Sequence, residues 1–242
     1  MYKHSPIVIS MLCPVRPESK FFAHFIAGFL NKTKNFYDTE LLVMPAKQNE
    51  WNQDLIEYLQ RKEPSIKFID EPESELGQRG HHIYINELAK HAKGDWILNF
   101  CEDMHILLRD WDEVLREWIR EKQLDPDKCY MIIPRFEASG AVEHILSRGW
   151  LDIVGTVFNF PNGDSWLNTV SDLTPEIFRQ TRRLDCNILM FKDYSANPQF
   201  GNLFERGEQS SKPSAAIEEW EGAKPEMQAV ADKLFDAFQN GR

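Results

Sequence analysis

The chain lacks the features that would place it at once in a membrane, secreted or zinc-bound class. No apolar run approaches the roughly 20 residues that a membrane-spanning helix needs. Residues 1–10 contain no basic stretch, long apolar core or small-residue cleavage site of the kind found in signal peptides. The cysteines form no CxxC pair, so neither a zinc knuckle nor a disulfide framework is indicated; they are Cys13, Cys101, Cys129 and Cys186. We expect a cytoplasmic protein with no integral membrane segment and with buried thiols.

Basic charge is also scarce. The 28 Lys and Arg residues are outnumbered by 38 Asp and Glu residues, which gives a formal net charge of -10. Because phosphate backbones attract positively charged proteins, this balance argues against a nucleic-acid partner, although it leaves room for a local basic pocket. What the chain does have is size: 242 residues, of which 42% are hydrophobic, are enough for one large α/β domain with a sizeable core.

Strand-like and helix-like segments alternate through residues 1–136. Apolar strands are predicted at 6–14, 39–46, 66–72, 96–100 and 128–136. Amphipathic helices are predicted between them at 18–33, 49–62, 80–94 and 110–124. Such alternation in short units predicts the α/β class, with a mainly parallel sheet flanked by helices on both faces.

The pattern weakens after residue 136. Residues 137–200 are rich in Gly, Pro, Asn and aromatics and read as loops, with a helix predicted at 174–183 and a strand at 186–193. From about residue 201 the composition predicts a flexible segment, and residues 224–240 predict a terminal amphipathic helix.

Two acids follow the fourth predicted strand, in the stretch GDWILNFCEDMH (residues 94–105). In open α/β sheets, ligands bind at the carboxyl ends of strands, which is where Glu102 and Asp103 fall. Carboxylate oxygens suit Mg²⁺ or Mn²⁺, which commonly bridge protein carboxylates to phosphate oxygens. The alternative is that the pair caps the next helix or faces water.

The residues around this strand resemble the family 2 glycosyltransferases, which have the GT-A fold. The family often shows the pattern G-x-x-x-A-R-N-x-G-x-x-x-A-x-G-D-x-I-x-F-x-D-x-D, and the chain follows it without a gap. The matching positions are Gly80, Asn86, Ala92, Gly94, Asp95 and Asp103. Two of its departures from the pattern bear on the site: Ile85 stands in the place of Arg, and Cys101 stands in the place of the first acid. The resemblance covers about residues 6–110.

The resemblance implies a metal-dependent transferase that moves a sugar from a nucleoside diphosphate sugar to a saccharide or other acceptor hydroxyl, with inversion. Residues 1–136 would form the nucleotide-sugar half, residues 137–200 the acceptor half of the same domain, and residues 201–242 a flexible segment with a terminal helix. Asp103 would be the chief ligand of Mn²⁺ or Mg²⁺, and Glu102 is the candidate to replace the missing first acid. His105 is either a second metal ligand or a residue that packs beside the site.

Other predicted contacts to the nucleotide sugar come from two loops and a helix. The resemblance places Pro14, Val15 and Arg16 beside the nucleotide, and Arg16 is either a phosphate or base contact or a surface residue of a rigid turn. Arg79 precedes a predicted helix N-terminus, which suits an anion, and Asn86 occupies the asparagine of the pattern. No Asp follows the second strand, so the identity of the base stays open.

The acceptor half offers two candidates for the base that deprotonates the acceptor hydroxyl. Asp164 follows an Asn-Gly turn in FPNGDSWLN, and Asp172 is the second candidate. Asp164 could equally be a turn residue that bonds its own backbone. Trp166 is either a platform for a sugar ring or part of the core.

Two rival functions stay open. Because Cys101 replaces an acid, the chain could be a catalytically inactive nucleotide-sugar-binding module. A sugar nucleotidyltransferase would show a glycine-rich phosphate loop after the first strand, whereas CPVRPES contains no glycine. A Rossmann dehydrogenase is not indicated, since no G-x-G-x-x-G follows any predicted strand.

Overall fold

The computed structural model describes residues 7–15, 21–46, 51–71, 81–101, 104–136, 144–160, 163–192 and 213–242. Within these ranges the elements follow one another as β1 Ile9–Val15, α1 Phe22–Lys32, β2 Thr39–Pro45, α2 Gln53–Lys62, β3 Ile66–Phe68, α3 His81–His91, β4 Trp96–Asn99, β5 Met104–Ile106, α4 Trp111–Glu121, β6 Met131–Phe136, β7 Ile145–Ser147, α5 Arg148–Val154, α6 Gly163–Leu173, α7 Glu176–Arg182, β8 Arg183–Lys192 and α8 Pro213–Gln239.

The described strands form one sheet in the order β3-β2-β1-β4-β7-β6-β8-β5. Four of the seven pairings in the described part of the chain are parallel, namely β1 with β2, β1 with β4, β2 with β3, and β6 with β8. The predicted α/β class and mainly parallel sheet are therefore confirmed. The antiparallel strand β7 lies between β4 and β6, so the strands on either side of residue 136 belong to the same sheet.

Both faces of the sheet are covered, because side chains alternate along each buried strand. Met11 and Cys13 of β1 pack into a core with Phe25 and Phe29 of α1 and with residues of α4. Leu12 faces the other way, into a second core formed with α3, α5, α6 and α8. The sheet is thus the middle layer of three, as the continuous apolar character of its strands predicts.

The loop-rich region contains more helix than the sequence predicts. Helix α5 occupies residues 148–154, where the Ser147 hydroxyl accepts a hydrogen bond from the Trp150 backbone N–H and Gly155 ends the helix at φ 88°. Helix α6 begins at Gly163, where an Asn-Gly turn is expected. Helix α8 begins at Pro213, eleven residues before the predicted start at 224. The predicted flexible segment falls largely on residues 201–212, which lie outside the described residues.

The composition led to two expectations, one about buried cysteine thiols and one about membrane-spanning helices. All four cysteines lie among the described residues and none forms a disulfide; three are buried and Cys101 is partly buried. Among the residues described, no helix combines the length and the apolar character required to cross a bilayer.

A buried ion pair fastens the edge of the sheet at which the parallel strands begin, called here the amino edge. Arg116 and Asp112 of α4 are almost fully buried, and their charged groups lie 2.8 Å apart. The Arg116 guanidinium also donates to the carbonyl oxygens of Ile7 (2.9 Å) and Asp38 (2.7 Å) and to the Thr39 hydroxyl (2.5 Å). One side chain therefore joins α4 to the start of β1 and the start of β2.

Replacing Arg116 by alanine is expected to lower the free energy of unfolding by about 3–5 kcal/mol, because it leaves the buried Asp112 carboxylate without its charged partner. Denaturant unfolding of the variant measures this loss. Arg120→Ala, an exposed arginine on the same helix, is the matched control and should cost less than about 0.5 kcal/mol. A loss below about 1 kcal/mol at Arg116 would contradict the assigned role.

The same pair predicts a dependence of stability on pH. Burial raises the pKa of Asp112, but hydrogen bonds from the Lys34 and Asn35 backbone N–H groups and from Arg116 outweigh this, and the pKa lies below its ordinary value near 3.8. This contribution to stability is complete above the unfolded pKa and is lost as pH falls through the folded pKa. Asp112→Asn should therefore flatten the decrease in melting temperature between about pH 5 and pH 3. An unchanged slope would contradict the assignment.

Candidate active site at the carboxyl edge of the sheet

The directions of the strands define the candidate site. Strands β1, β2, β4, β6 and β8 run the same way, so their carboxyl ends meet at one edge, called here the carboxyl edge. At this edge the Ala46 backbone N–H donates to the Val15 carbonyl oxygen (2.8 Å), and the Phe100 N–H donates to the Leu12 carbonyl oxygen (2.9 Å). The ends of β1, β2 and β4 are thereby held side by side, which is where α/β sheets bind ligands.

The predicted nucleotide contacts at the end of β1 are only partly described. Pro14 and Val15 are the last residues of β1 and pair with Met44 and Pro45 of β2. Both side chains are buried, and Val15 belongs to the core beneath the edge. The structure therefore brings these two residues to the site, and Arg16 lies outside the described residues.

The end of β4 leads directly to the predicted metal ligands. Phe100 is fully buried and Cys101 is partly buried against the same core. The Cys101 carbonyl oxygen accepts a hydrogen bond from the Met104 backbone N–H (3.0 Å). Glu102 and Asp103, between these two residues, lie outside the described residues, so their roles stay predictions.

His105 lies in the middle of β5. It pairs with Phe191 of β8, while its neighbours Met104 and Ile106 point into the core. Alternation along the strand therefore turns the half-buried His105 side chain to the face opposite that core. Strand β8 has a bulge after Cys186, because Pro134 of β6 pairs with Cys186 while the next β6 residue pairs with Leu189. Beyond the bulge, residues 190–192 of β8 pair with β5.

Two of the three predicted metal donors, Glu102 and Asp103, lie outside the described ranges. Within those ranges, no group of three or more His, Cys, Asp or Glu side chains could hold a metal ion. The candidate donors Glu102, Asp103 and His105 supply carboxylate oxygens and one imidazole, a set that fits Mn²⁺ or Mg²⁺. The fit of these residues to Mn²⁺ or Mg²⁺ therefore rests on the chemistry of their side chains and on the position of β4, whose end they follow.

Helix α3 begins at the carboxyl edge, because it joins the end of β3 to the start of β4. Its first residue, His81, stacks on the ring of Phe158 with 6.0 Å between centroids. In its second turn, the Asn86 amide donates to the Phe158 carbonyl oxygen (2.8 Å) and accepts from the Val157 backbone N–H (2.9 Å). The structure thus uses Asn86 as a bridge to the loop at 157–160, a role that the sequence did not predict. Arg79 lies outside the described residues.

The Gly-Asp pair of the family pattern lies at the amino edge. The Gly94 backbone N–H donates to the Ser10 hydroxyl (2.7 Å), and a Cβ on Gly94 would come within 2.5 Å of the Ser10 backbone nitrogen. The Asp95 carboxylate accepts a hydrogen bond from the Val8 backbone N–H (3.1 Å). These two residues therefore fix the start of β4 beside β1 and are remote from the candidate site.

Helix α6 begins close to the same loop. Only two residues separate Phe160 from Gly163, so the helix N-terminus lies within about 10 Å of the loop. Asp164 is the second residue of α6, and its side chain lies outside the described part of the chain. Trp166 is 1% exposed and packs in the core shared with α3, so it is a core residue and not a sugar platform. The Asp164 backbone is thereby placed near the carboxyl edge.

Asp172 lies at the other end of α6. It lies eight positions after Asp164 along the helix, a rise of about 12 Å. Its carboxylate is 70% exposed and lies 3.1 Å from the guanidinium of Arg183, the first residue of β8 at the amino edge. The structure therefore does not bring the second candidate base to the site.

Helix α8 also reaches the loop at 157–160. The Trp220 ring meets the Phe160 ring edge-on at 5.0 Å, and the Glu226 carboxylate accepts a hydrogen bond from the Asn159 amide (2.6 Å). The amphipathic pattern of residues 224–240 predicted a helix here, but nothing in that stretch of sequence indicated which part of the fold α8 would cover.

Comparisons with known proteins agree with this architecture. No protein-family model matches the chain, and no curated protein matches it in sequence. The mannosyltransferase PcManGT from Pyrobaculum calidifontis, solved in complex with GDP-Man and Mn²⁺, aligns over 97% of this chain and 75% of its own, with a TM-score of 0.59 and 12% identity. Residues 1–349 of S. aureus TarS align over 76% of this chain and 60% of that one, with a TM-score of 0.59 and 12% identity, and the same fragment was solved in complex with UDP.

The likeness to these structures concerns the fold. The chain spans 36% of the longer TarS structure, and the identities are too low to carry over individual residues. The mainly parallel sheet and the helices that flank it nevertheless agree with the expectation from the resemblance. The chain has a GT-A-like fold.

Proposed function

We propose that the chain is a metal-dependent glycosyltransferase that moves a sugar from a nucleoside diphosphate sugar to an acceptor hydroxyl, with inversion. The observation that carries the proposal is the end of β4. In this GT-A-like sheet, β4 ends beside β1 at the carboxyl edge, and the sequence supplies Glu102 and Asp103 directly after it. The mannosyltransferase with the same fold was solved with a nucleotide sugar and Mn²⁺, which supports the same ligand class here.

The donor would lie over the ends of β1 and β4. Asp103, with Glu102 and His105 as further candidate donors, would hold Mn²⁺ or Mg²⁺. The bound ion would supply positive charge that offsets the charge developing on the diphosphate leaving group. Arg16 and Arg79 would contact the phosphates through their guanidinium groups, and Pro14 and Val15 would form the floor beside the nucleoside.

The acceptor would approach from the α6 side. The Asp164 carboxylate would take the proton of the acceptor hydroxyl. At the same time the hydroxyl oxygen attacks the anomeric carbon, and the bond from that carbon to the diphosphate oxygen breaks. Since attack and departure occur on opposite faces of the sugar, the configuration inverts. The N-terminus of α6 favours a negative charge in its first turn, where Asp164 lies.

One observation favours a second candidate, a nucleotide-sugar-binding module without turnover. Cys101 occupies the position of the first acid, and its partly buried side chain packs against the core. Such a module would bind a diphosphate with metal but would release no product from its sugar conjugate. Binding and turnover must therefore be measured separately.

Thermal unfolding with UDP, GDP, CDP and TDP, each with Mn²⁺ and with a chelator, tests the nucleotide site. One diphosphate should raise the melting temperature in Mn²⁺, since a ligand at 100-fold its Kd adds about 2.7 kcal/mol of stability. For a chain of this size that corresponds to a rise of several degrees, at about 2–4 °C per kcal/mol. The chelator should abolish the rise, and the matched nucleosides serve as control ligands. No metal-dependent shift with any diphosphate would contradict the proposal.

A further inference from the structure

The loop at 157–160 depends on one polar side chain. Val157 and Phe158 are fully buried, so their backbone polar groups need partners inside the protein. The Asn86 amide supplies two of these, accepting from the Val157 N–H at 2.9 Å and donating to the Phe158 carbonyl oxygen at 2.8 Å. The contact joins residues 71 and 72 positions apart in the chain. A substitution at Asn86 therefore leaves buried backbone groups without partners, which shifts or loosens the loop.

The loop leads directly into the helix that carries the proposed base. Gly163 begins α6 three residues after Phe160, and Asp164 follows it. From its fourth residue onwards α6 is fixed, because Trp166 and Leu167 are buried in the same core as Val157 and Phe158. The position of the Asp164 backbone is thus determined by the loop before it in the chain and by the buried residues of α6 after it.

The bridge also joins the two predicted halves of the protein. Asn86 belongs to α3, which begins at the carboxyl edge, and His81 on the same helix stacks on Phe158. A movement of the loop would change the distance between α3, on the donor side, and the first turn of α6, on the acceptor side. In group transfer, a displacement of about 1 Å can cost about 100-fold in rate.

We propose that Asn86 is a positioning residue, which sets the loop at 157–160 and through it the distance from Asp164 to the donor. The inference rests on the proposed function, because it assigns the base to Asp164. It differs from the resemblance, which implies that Asn86 contacts the nucleotide. The two roles predict different responses of donor binding and of turnover.

The test compares Asn86→Ala with the wild type by three measurements. Turnover with saturating nucleotide sugar should fall about 10- to 100-fold. The Kd of the nucleoside diphosphate in Mn²⁺, measured by titration calorimetry, should stay within about twofold, because that ligand does not reach the acceptor side. Amide hydrogen exchange in the peptide that contains Val157 should become faster, because the N–H loses its acceptor.

Two further variants make the test specific. Asn86→Asp keeps an acceptor for the Val157 N–H but loses the donor to the Phe158 carbonyl oxygen, so turnover and exchange should lie between those of the wild type and Asn86→Ala. Asn240→Ala is the matched control. It removes an amide that donates to the Asp236 carbonyl oxygen (2.8 Å) at the exposed end of α8, and it should change neither turnover nor exchange at Val157.

Three results would overturn the inference. A Kd that rises in proportion to the loss of turnover would make Asn86 a nucleotide contact. Faster exchange at Val157 with unchanged turnover, measured well below the melting temperature, would reduce the bridge to a stabilising contact. If the wild type transfers or hydrolyses no donor while Asn86→Ala still accelerates exchange, the bridge is real, but the proposed function and the positioning role both fail.

Discussion

Replacing Asp164 by asparagine is expected to lower kcat by about 10²- to 10⁴-fold, the contribution typical of a positioned general base. The amide is nearly the same size as the carboxylate but cannot take the acceptor proton. The Kd of the nucleoside diphosphate should be unchanged, because Asp164 lies in the first turn of α6, on the acceptor side. Steady-state rates with saturating donor, together with calorimetric titration of the diphosphate, measure both quantities.

Two other carboxylates make this experiment decisive. Asp152→Asn on α5 removes an exposed acid and is the control for the loss of one negative charge. Asp172→Asn tests the other candidate base, on the same helix as Asp164 but beside Arg183 at the amino edge. Full activity in Asp164→Asn together with a large loss in Asp172→Asn would contradict the placement of the acceptor at the carboxyl edge.

Replacing Asp103 by alanine is expected to lower metal-dependent turnover by at least about 10³-fold, because stabilisation of the leaving diphosphate by a metal is worth several kcal/mol. The variant should also lose the tightening of diphosphate binding by Mn²⁺, while its weak binding in chelator should stay as in the wild type. Titration of Mn²⁺ against turnover and against diphosphate affinity measures this coupling.

The matched control for Asp103 is Asp152→Ala, which removes the same side chain from an exposed position on α5. Its dependence on Mn²⁺ should be that of the wild type. If Asp103→Ala retained both the turnover of the wild type and its response to Mn²⁺, the metal would be held elsewhere. The acid pair after β4 would then have another purpose.

The first half of the fold was predictable because its signals are local. Continuous apolar strands such as residues 96–100 alternate with amphipathic helices of ordinary length, and this alternation predicts a covered parallel sheet. The same reasoning found the bounds of β1 within three residues and those of β2 within one. The antiparallel insertion of β7 between β4 and β6 was not predictable, because strand order depends on contacts between distant segments.

The candidate site was less predictable, since a spacing pattern does not distinguish ligand contacts from structural ones. Asn86 matches the family pattern, yet its amide bonds the backbone of residues 157 and 158, far along the chain. Gly94 and Asp95 also match, and the structure uses them to seat β4 against β1. Asp172 was the second candidate base in the predicted acceptor half, but α6 places it and Asp164 at opposite ends of one helix.

The most direct test of the central claim is release of nucleoside diphosphate from a panel of UDP-, GDP-, CDP- and TDP-sugars in the presence of Mn²⁺. Slow transfer to water suffices, so the natural acceptor is not needed. The account predicts release from one class of donor, abolished by chelator and by Asp103→Ala, with the freed sugar appearing first as the inverted anomer by NMR. Metal-dependent binding of a diphosphate with no release from any of its sugar conjugates would contradict the account and would make the chain a binding module.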